Sequence, residues 1–411
     1  MFDQKMQNIV VVGASHAGIS FIDNIRKSGF GGSITLVDRQ KGGPMERPPL
    51  SKQFLLETED KLDPIFLLKR AKWYKDNDII LKLGVEALEI NLGTNLLTLS
   101  NGDGLTFDKL ILATGARPRF LPGSENLVNA FVLRQPDDAI AIRETARKAR
   151  SAVIIGGGYI GLEVAASFRQ MGLEVCVIEA ADRLLARVAS PPVANSLLNL
   201  HQKHGVSIYT GVSVEELVRD QQKFTAAKLT DGSIIEGDML VVGIGVAPDS
   251  LLAHKAGLET EGSDGGAIIV NGSMQTSNPS IIAIGDVALR SGENLRIESV
   301  HNAQEHAVRA VAGMMGHEPP VDEAPRFWSD QYDANLQSVG IVPVDANDVF
   351  QVVRNGQREG SVSYWSFQKK TLLSVEAIRD VENFMLGTKC LNQNLSPDPE
   401  LIGNADFDPL A

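Results

Sequence analysis

The chain has 411 residues, a net charge of −12 and two cysteines, Cys176 and Cys390. That length suggests roughly two to four domains with a sizeable core. Two cysteines exclude a disulfide framework or an all-thiolate metal centre and suit a reducing cytoplasm, and the acidic balance argues against a nucleic-acid partner. No apolar run approaches the roughly 18–20 residues of a membrane span, and no apolar signal core precedes the first strand-like run.

Ile9-Val10-Val11-Val12 reads as a buried strand. It enters Gly13-Ala14-Ser15-His16-Ala17-Gly18, which opens a helix to about Ser28. Gly29 to Gly32 breaks the helix, and Ile34-Thr35-Leu36-Val37-Asp38 is a second strand. This is a βαβ unit with a parallel sheet. Leu110-Ile111-Leu112-Ala113-Thr114-Gly115 is a later strand ending in glycine. The opening grammar then returns: Ala152-Val153-Ile154-Ile155, a turn from Gly156 to Gly161, a helix to about Met171, and Glu174-Val175-Cys176-Val177-Ile178-Glu179. The first glycines are 143 positions apart (156 − 13), a repeat at domain scale. Two more apolar runs end in glycine, Leu240 to Gly245 and Ile281 to Gly285. From about Pro325 alternating stretches read as antiparallel strands, followed by a helix near Asp380 to Leu391. The tail from Ser396 on is expected to be partly extended.

The second turn is a full G-x-G-x-x-G: Gly156 for the tight turn, Gly158 for close approach of a pyrophosphate, Gly161 for helix–strand packing. The helix N-terminus offers free N–H groups to phosphate. Glu179 lies 18 residues after Gly161 (179 − 161), placed to take adenosine ribose hydroxyls and to prefer NAD over NADP. Arg183 and Arg187 come soon after it and could soften that preference. In the first turn Ser15 replaces the middle glycine, between Gly13 and Gly18. Asp38 stands 20 residues after Gly18 (38 − 18) as the ribose acid. His16 reads as a local contact in the turn. Two such units imply two dinucleotides, one a tightly held flavin and one an exchangeable nicotinamide.

Arg47-Pro48-Pro49-Leu50-Ser51-Lys52, Ala113-Thr114-Gly115, Ile284-Gly285-Asp286, Arg296-Ile297-Glu298-Ser299-Val300 and Phe327-Trp328-Ser329-Asp330-Gln331-Tyr332 run through nearly the whole chain in order. They resemble the oxygenase-coupled NADH-dependent ferredoxin reductases. The resemblance implies an α/β, glutathione-reductase-like fold with two Rossmann-like domains and a C-terminal α/β domain. An FAD domain would take residues 1–116 and 246–324, an NAD domain 117–245, and the C-terminal domain 325–411. Electrons would pass from NADH through FAD to a [2Fe–2S] ferredoxin that feeds an oxygenase.

By resemblance, Lys52 lies near flavin N5, Glu163 pairs with it in the nicotinamide pocket, and Trp328 sits beside the flavin on the ferredoxin side. FAD contacts are expected from Gly13, Ser15, His16, Ala17, Gly18, Asp38, Arg47, Lys52, Ala87, Ala113, Thr114, Gly115, Arg134, Gly285, Asp286 and Val300. Asp286 is expected to accept a ribitol hydroxyl and to present a helix start to the pyrophosphate. NAD contacts are expected from Gly156, Gly158, Tyr159, Ile160, Gly161, Glu163, Glu179 and Gly245. Many members carry an aromatic residue or His where Met45 stands.

Disulfide reductases and NADH peroxidases of the same fold need cysteine near the Pro-Pro-Leu-Ser-Lys stretch, and none is there. Cys176 reads as a small core residue and Cys390 as incidental. His201 and His204 lack a third metal ligand, so no metal site is expected; His301 and His306 read as shaping a surface helix. A stretch rich in Lys61, Lys69, Arg70, Lys72 and Lys75, against Asp63, is a candidate ferredoxin-docking patch, with Arg309 as a second candidate. A monomer or homodimer in the cytoplasm is expected, with neither nucleic acid nor membrane as partner. The alternatives are an NADH oxidase or diaphorase without a protein partner, and a redox-sensing binding flavoprotein.

Overall fold

The computed structural model describes residues 7–57, 64–262, 265–343 and 346–410. The chain forms two compact units, each built from separated segments.

The first unit comprises Met1–Arg47, Lys61–Arg117 and Val246–Val321. Its centre is a parallel sheet in the order Ile281–Ala283, Lys109–Leu112, Asn8–Val12, Ser33–Asp38, Ile79–Leu83. Strands buried on both faces must be apolar throughout, and Ile9, Val10, Val11, Leu110, Ile111 and Leu112 are all at most 2% exposed. Helices His16–Lys27 and Val300–Met314 pack together beside this sheet. A small antiparallel sheet, Ala87–Asn91, Leu96–Leu99 and Gly104–Thr106, joins the same core.

The second unit comprises Pro48–Asp60, Pro118–Gly245 and Asp322–Ala411. It repeats the parallel plan in the order Val206–Thr210, Glu174–Glu179, Ser151–Ile155, Met239–Val242, Ala130–Phe131. A second, antiparallel sheet runs Arg326–Gln331, Ala334–Gly340, Thr371–Ile378, Val362–Gln368, Val349–Asn355. One apolar cluster joins the helical side of the parallel sheet to the five-stranded antiparallel sheet: Leu162, Leu184, Leu185, Val193 and Leu197 meet Ala334, Leu336, Tyr364 and Ile378. Helix Val381–Asn392 closes the antiparallel sheet, with Asp380 accepting from Asn383 N–H as its cap.

The tail is extended at Asp398 before it turns helical. Pro399–Ile402 forms a short helix, because Asp398 accepts from Glu400 N–H and proline is at home in a first helical turn. Arg354 holds the last segment of the chain, donating to the carbonyls of Ile402, Asn404, Ala405 and Phe407. Among the described residues, no helix is long and apolar enough to cross a membrane.

Candidate functional site

The two glycine turns are built alike, each within its own unit. Gly13 and Gly156 adopt φ of +111° and +108°. A Cβ on Gly13 would meet Ala113 O at 2.1 Å, and one on Gly156 would meet Gly243 O at 2.3 Å. Only glycine fits there. Gly18 and Gly161 let each helix press on its strand: a Cβ would lie 2.0 Å from Gly13 O and 2.1 Å from Gly156 O, respectively. The middle position differs. Gly158 is extended (φ −80°, ψ 178°), and a Cβ there would meet nothing within 4 Å. Ser15 is extended too, which explains why serine replaces glycine without backbone strain.

The carboxylates close both turns identically. Asp38 accepts from Ala14 N–H at 2.6 Å and Gln40 N–H at 2.7 Å. Glu179 accepts from Gly157 N–H at 2.7 Å and Ala181 N–H at 2.8 Å. Each therefore stands at the mouth of its turn with its orientation fixed. Arg183 donates to the carbonyls of Leu184, Leu185 and Ala186. Arg187 lies over Gly245, with a guanidinium nitrogen 3.4 Å from the position of a Cβ there.

Around the first turn, His16 Nε2 accepts from Arg47 N–H at 3.4 Å, and Arg47 Nε reaches Ser15 Oγ at 3.4 Å. Ala17 starts the helix beside them, and its Cβ lies 2.9 Å from where a Gly285 Cβ would be. Ala113 is buried, Gly115 takes φ +70°, and Thr114 Oγ1 donates to Asp249 O at 2.6 Å. Ala87 opens a half-buried strand. Met45 is buried and bridges to Leu67, a core role. Arg134 belongs to the other unit, where Asp138 caps its N–H. Asp286 does not head an α-helix. It sits inside the three-residue 3-10 turn Gly285–Val287, while the long helix starts at Val300 behind the Ser299 cap. The Gly285 N–H is held by His306 Nδ1 at 3.2 Å, and His306 is 6% exposed. His306 is thus an interior support of this turn, because its helix packs inward against His16–Lys27.

In the second unit, Lys52 Nζ lies 2.8 Å from Glu163 Oε1, in the second turn of helix Tyr159–Gln170. Glu163 is 2% exposed and the Lys52 side chain 17%. Ser51 donates to Glu163 Oε2, and Ser329 Oγ donates to Oε1 at 2.6 Å. Ser167, one turn on, fixes the Ser51 carbonyl at 2.8 Å. Removing one partner of so buried a pair strands a charge, at a cost of about 3–5 kcal/mol. Tyr159 stacks on Phe327 at 4.4 Å, and burial pushes its phenol up. Ile160 beside it is 46% exposed, an apolar face held open. Strand alternation puts Phe327, Ser329 and Gln331 on one face and the half-buried Trp328 on the other.

Lys61 and Asp63 of the basic stretch lie outside the described residues. Lys69 is paired with Asp23 at 3.0 Å and sits over the Trp73 ring, and Lys72 pairs with Asp76. Arg70 is exposed, on a groove of about 660 Å³ that Ile65, Leu67 and Leu68 also line. Arg309 is 4% exposed, so it leaves the set of docking candidates; its helix turns that face to the core. Sequence reasoning missed Ser51 and Ser329 as partners of Glu163, and Gln331 behind Ser329, although all three lie inside the motifs that carry the resemblance.

The pyridine nucleotide-disulphide oxidoreductase family matches residues 7–307, and a reductase C-terminal domain matches 326–409. The chain belongs to this family. Putidaredoxin reductase CamA of Pseudomonas putida is 36% identical, covering 97% of this chain and 94% of that protein. The 3-phenylpropionate/cinnamic acid dioxygenase ferredoxin--NAD(+) reductase component of Photorhabdus laumondii is 36% identical, covering 82% and 84%. The solved structure of the covalent putidaredoxin reductase–putidaredoxin complex matches with a TM-score of 0.90 at 35% identity, covering 98% and 97%. The fold is two Rossmann-like domains with a C-terminal α/β domain, and the cofactors are FAD and NADH. The residues fit them: each unit has a glycine turn closed by an oriented carboxylate, and the space before Gly158 is open.

Proposed function

We propose that the chain is an NADH-dependent ferredoxin reductase that passes electrons through FAD to a [2Fe–2S] ferredoxin serving an oxygenase. The observation that carries this reading is the buried Lys52–Glu163 pair in a chain with no cysteine in the Pro-Pro-Leu-Ser-Lys stretch. Cys176 is buried, with its thiol pushed up to about 12, and Cys390 is buried as well. Neither is a thiolate nucleophile at neutral pH, which favours electron transfer without thiol exchange. Bound FAD supplies the conversion from a two-electron hydride donor to a one-electron acceptor.

The chain's own residues do the rest. The N–H groups of the turns from Gly13 and Gly156 face the pyrophosphates of FAD and NADH, and Asp38 and Glu179 take the ribose hydroxyls. Glu179 repels a 2′-phosphate and so selects NADH. Lys52, held by Glu163, places an ammonium beside flavin N5. Ile160 and Tyr159 border the nicotinamide, and Trp328 marks the electron-exit side. Arg134, Val300 and Ala87 complete the FAD contacts. The ferredoxin docks against Arg70, in a reducing cytoplasm.

Anaerobic NADH titration of the holoprotein is the test. NADH bleaches the flavin, NADPH does so far more slowly, and cytochrome c reduction then depends on added ferredoxin. An unbleached flavin, or oxygen consumption indifferent to ferredoxin, overturns the reading.

A further inference from the structure

Glu163 is one end of a longer line of buried polar groups, and the charge at that end sets the direction of every hydrogen bond in it. Paired with Lys52, the carboxylate only accepts. Ser329 Oγ, 2.6 Å away, must donate to it. With its one proton committed, Ser329 accepts from Gln331 Nε2 at 3.0 Å. That orients the amide, so Gln331 Oε1 faces His201 Nε2 at 2.7 Å. A carbonyl oxygen only accepts, so His201 carries its proton on Nε2. Nδ1 is left to accept from the Tyr332 hydroxyl at 3.5 Å. Burial lowers the His201 pKa, in keeping with the neutral ring this line requires.

Two features set this line apart from ordinary core packing. Ser329, Gln331 and His201 are each at most 1% exposed, where apolar side chains would pack at no desolvation cost. And the line ends on Tyr332, a bulky residue held at φ +54°, whose ring stacks on His204 at 3.7 Å. Strand and helix both contribute: Ser329 and Gln331 project two residues apart from Arg326–Gln331, and His201 comes from helix Pro191–Lys203.

We propose that Ser329, Gln331 and His201 are a positioning relay that holds the Glu163 carboxylate in register with Lys52 from the Tyr332–His204 edge. The inference rests on the reading of Lys52 and Glu163 given above. Without Ser329, Glu163 Oε1 keeps only Lys52 and loses the hydrogen bond that ties it to strand Arg326–Gln331.

Holoenzyme variants separate the relay from simple packing. Gln331→Met keeps length and bulk but cuts the line. His201→Gln keeps an N–H donor for Gln331, whereas His201→Leu does not. The limiting rate of flavin reduction by NADH is expected to fall about tenfold in Gln331→Met and in Ser329→Ala, with the NADH Kd moving less than about twofold. His201→Leu shows the same loss, and His201→Gln returns to within about twofold of the parent. A second readout needs no turnover. Nitrogen NMR of the resting holoenzyme shows His201 as the Nε2–H tautomer, and NAD+ shifts its resonances in the parent but not in Gln331→Met. Unchanged limiting rates, or His201→Gln no better than His201→Leu, overturn the relay. Lys52→Met and Glu163→Gln run alongside. If they leave flavin reduction untouched, the hydride-site reading fails; if they slow it while Gln331→Met does not, only the relay fails.

Discussion

His201 stays uncharged in the interior because nothing near it would balance a charge. The groups facing it are the Gln331 amide, the Tyr332 hydroxyl and His204 on its own helix, which would repel a proton. Burial is the larger cause of its lowered pKa. A histidine depressed below its unfolded value of 6.5 contributes stability above that pH and loses it as pH falls, since the unfolded chain takes the proton first. Unfolding free energy should therefore drop below about pH 6.5, with up to about 1.4 kcal/mol per pH unit from this residue. His201→Gln should flatten that limb in urea melts at neutral and mildly acid pH, and parallel losses in both proteins would clear His201 of the effect. The glycines, Asp38 and Glu179 are legible from their spacing along the chain, whereas Lys52 and Glu163 are legible only through the resemblance. His201 is not: a pair three apart on a helix says nothing of what packs on either member. Here a sheet distant in sequence buries one and leaves the other stacked on Tyr332.

Elements show the same division. The parallel strands and their helices announce themselves through unbroken apolar runs and glycine turns, and they fold as read. The short helix in the tail is not legible, because it is a single turn whose start signal, Asp398-Pro399, is weak without a partner. Arg354 is that partner. It is 5% exposed and donates to four carbonyls of the segment from Ile402 to Phe407, so one side chain satisfies backbone that would otherwise need water. Arg354→Met should cost about 3 kcal/mol, because it removes four hydrogen bonds from a charged donor at once and leaves the carbonyl of the buried Ile402 without it. Hydrogen exchange should then speed up in residues 399–410 before it does in strand Val349–Asn355. Uniform acceleration across both would mean that the clamp holds the whole antiparallel sheet rather than the tail.

At the scale of the molecule, the net charge of −12 opposes an acidic ferredoxin from a distance, while docking needs local attraction. Pairing decides what that attraction can use. Lys69 is neutralised by Asp23 and Lys72 by Asp76, which leaves Arg70 and Lys75 as the exposed cations of this stretch without a carboxylate partner among the described residues. The two fields have different ranges. At low salt the whole-chain repulsion reaches far into solution, and near 0.1 M the screening length falls to about 10 Å, which removes it but spares a contact pair. Ferredoxin-dependent kcat/KM should therefore rise with salt to a maximum near that ionic strength and then fall as the contact itself is screened. Arg70→Glu reverses one of the two short-range cations. Its kcat/KM should be lower by about tenfold at the maximum and should rise with salt throughout, while NADH-dependent ferricyanide reduction stays at the parent level. A parent whose rate falls steadily from the lowest salt would mean that attraction governs at every distance, and Arg70 would not be its source.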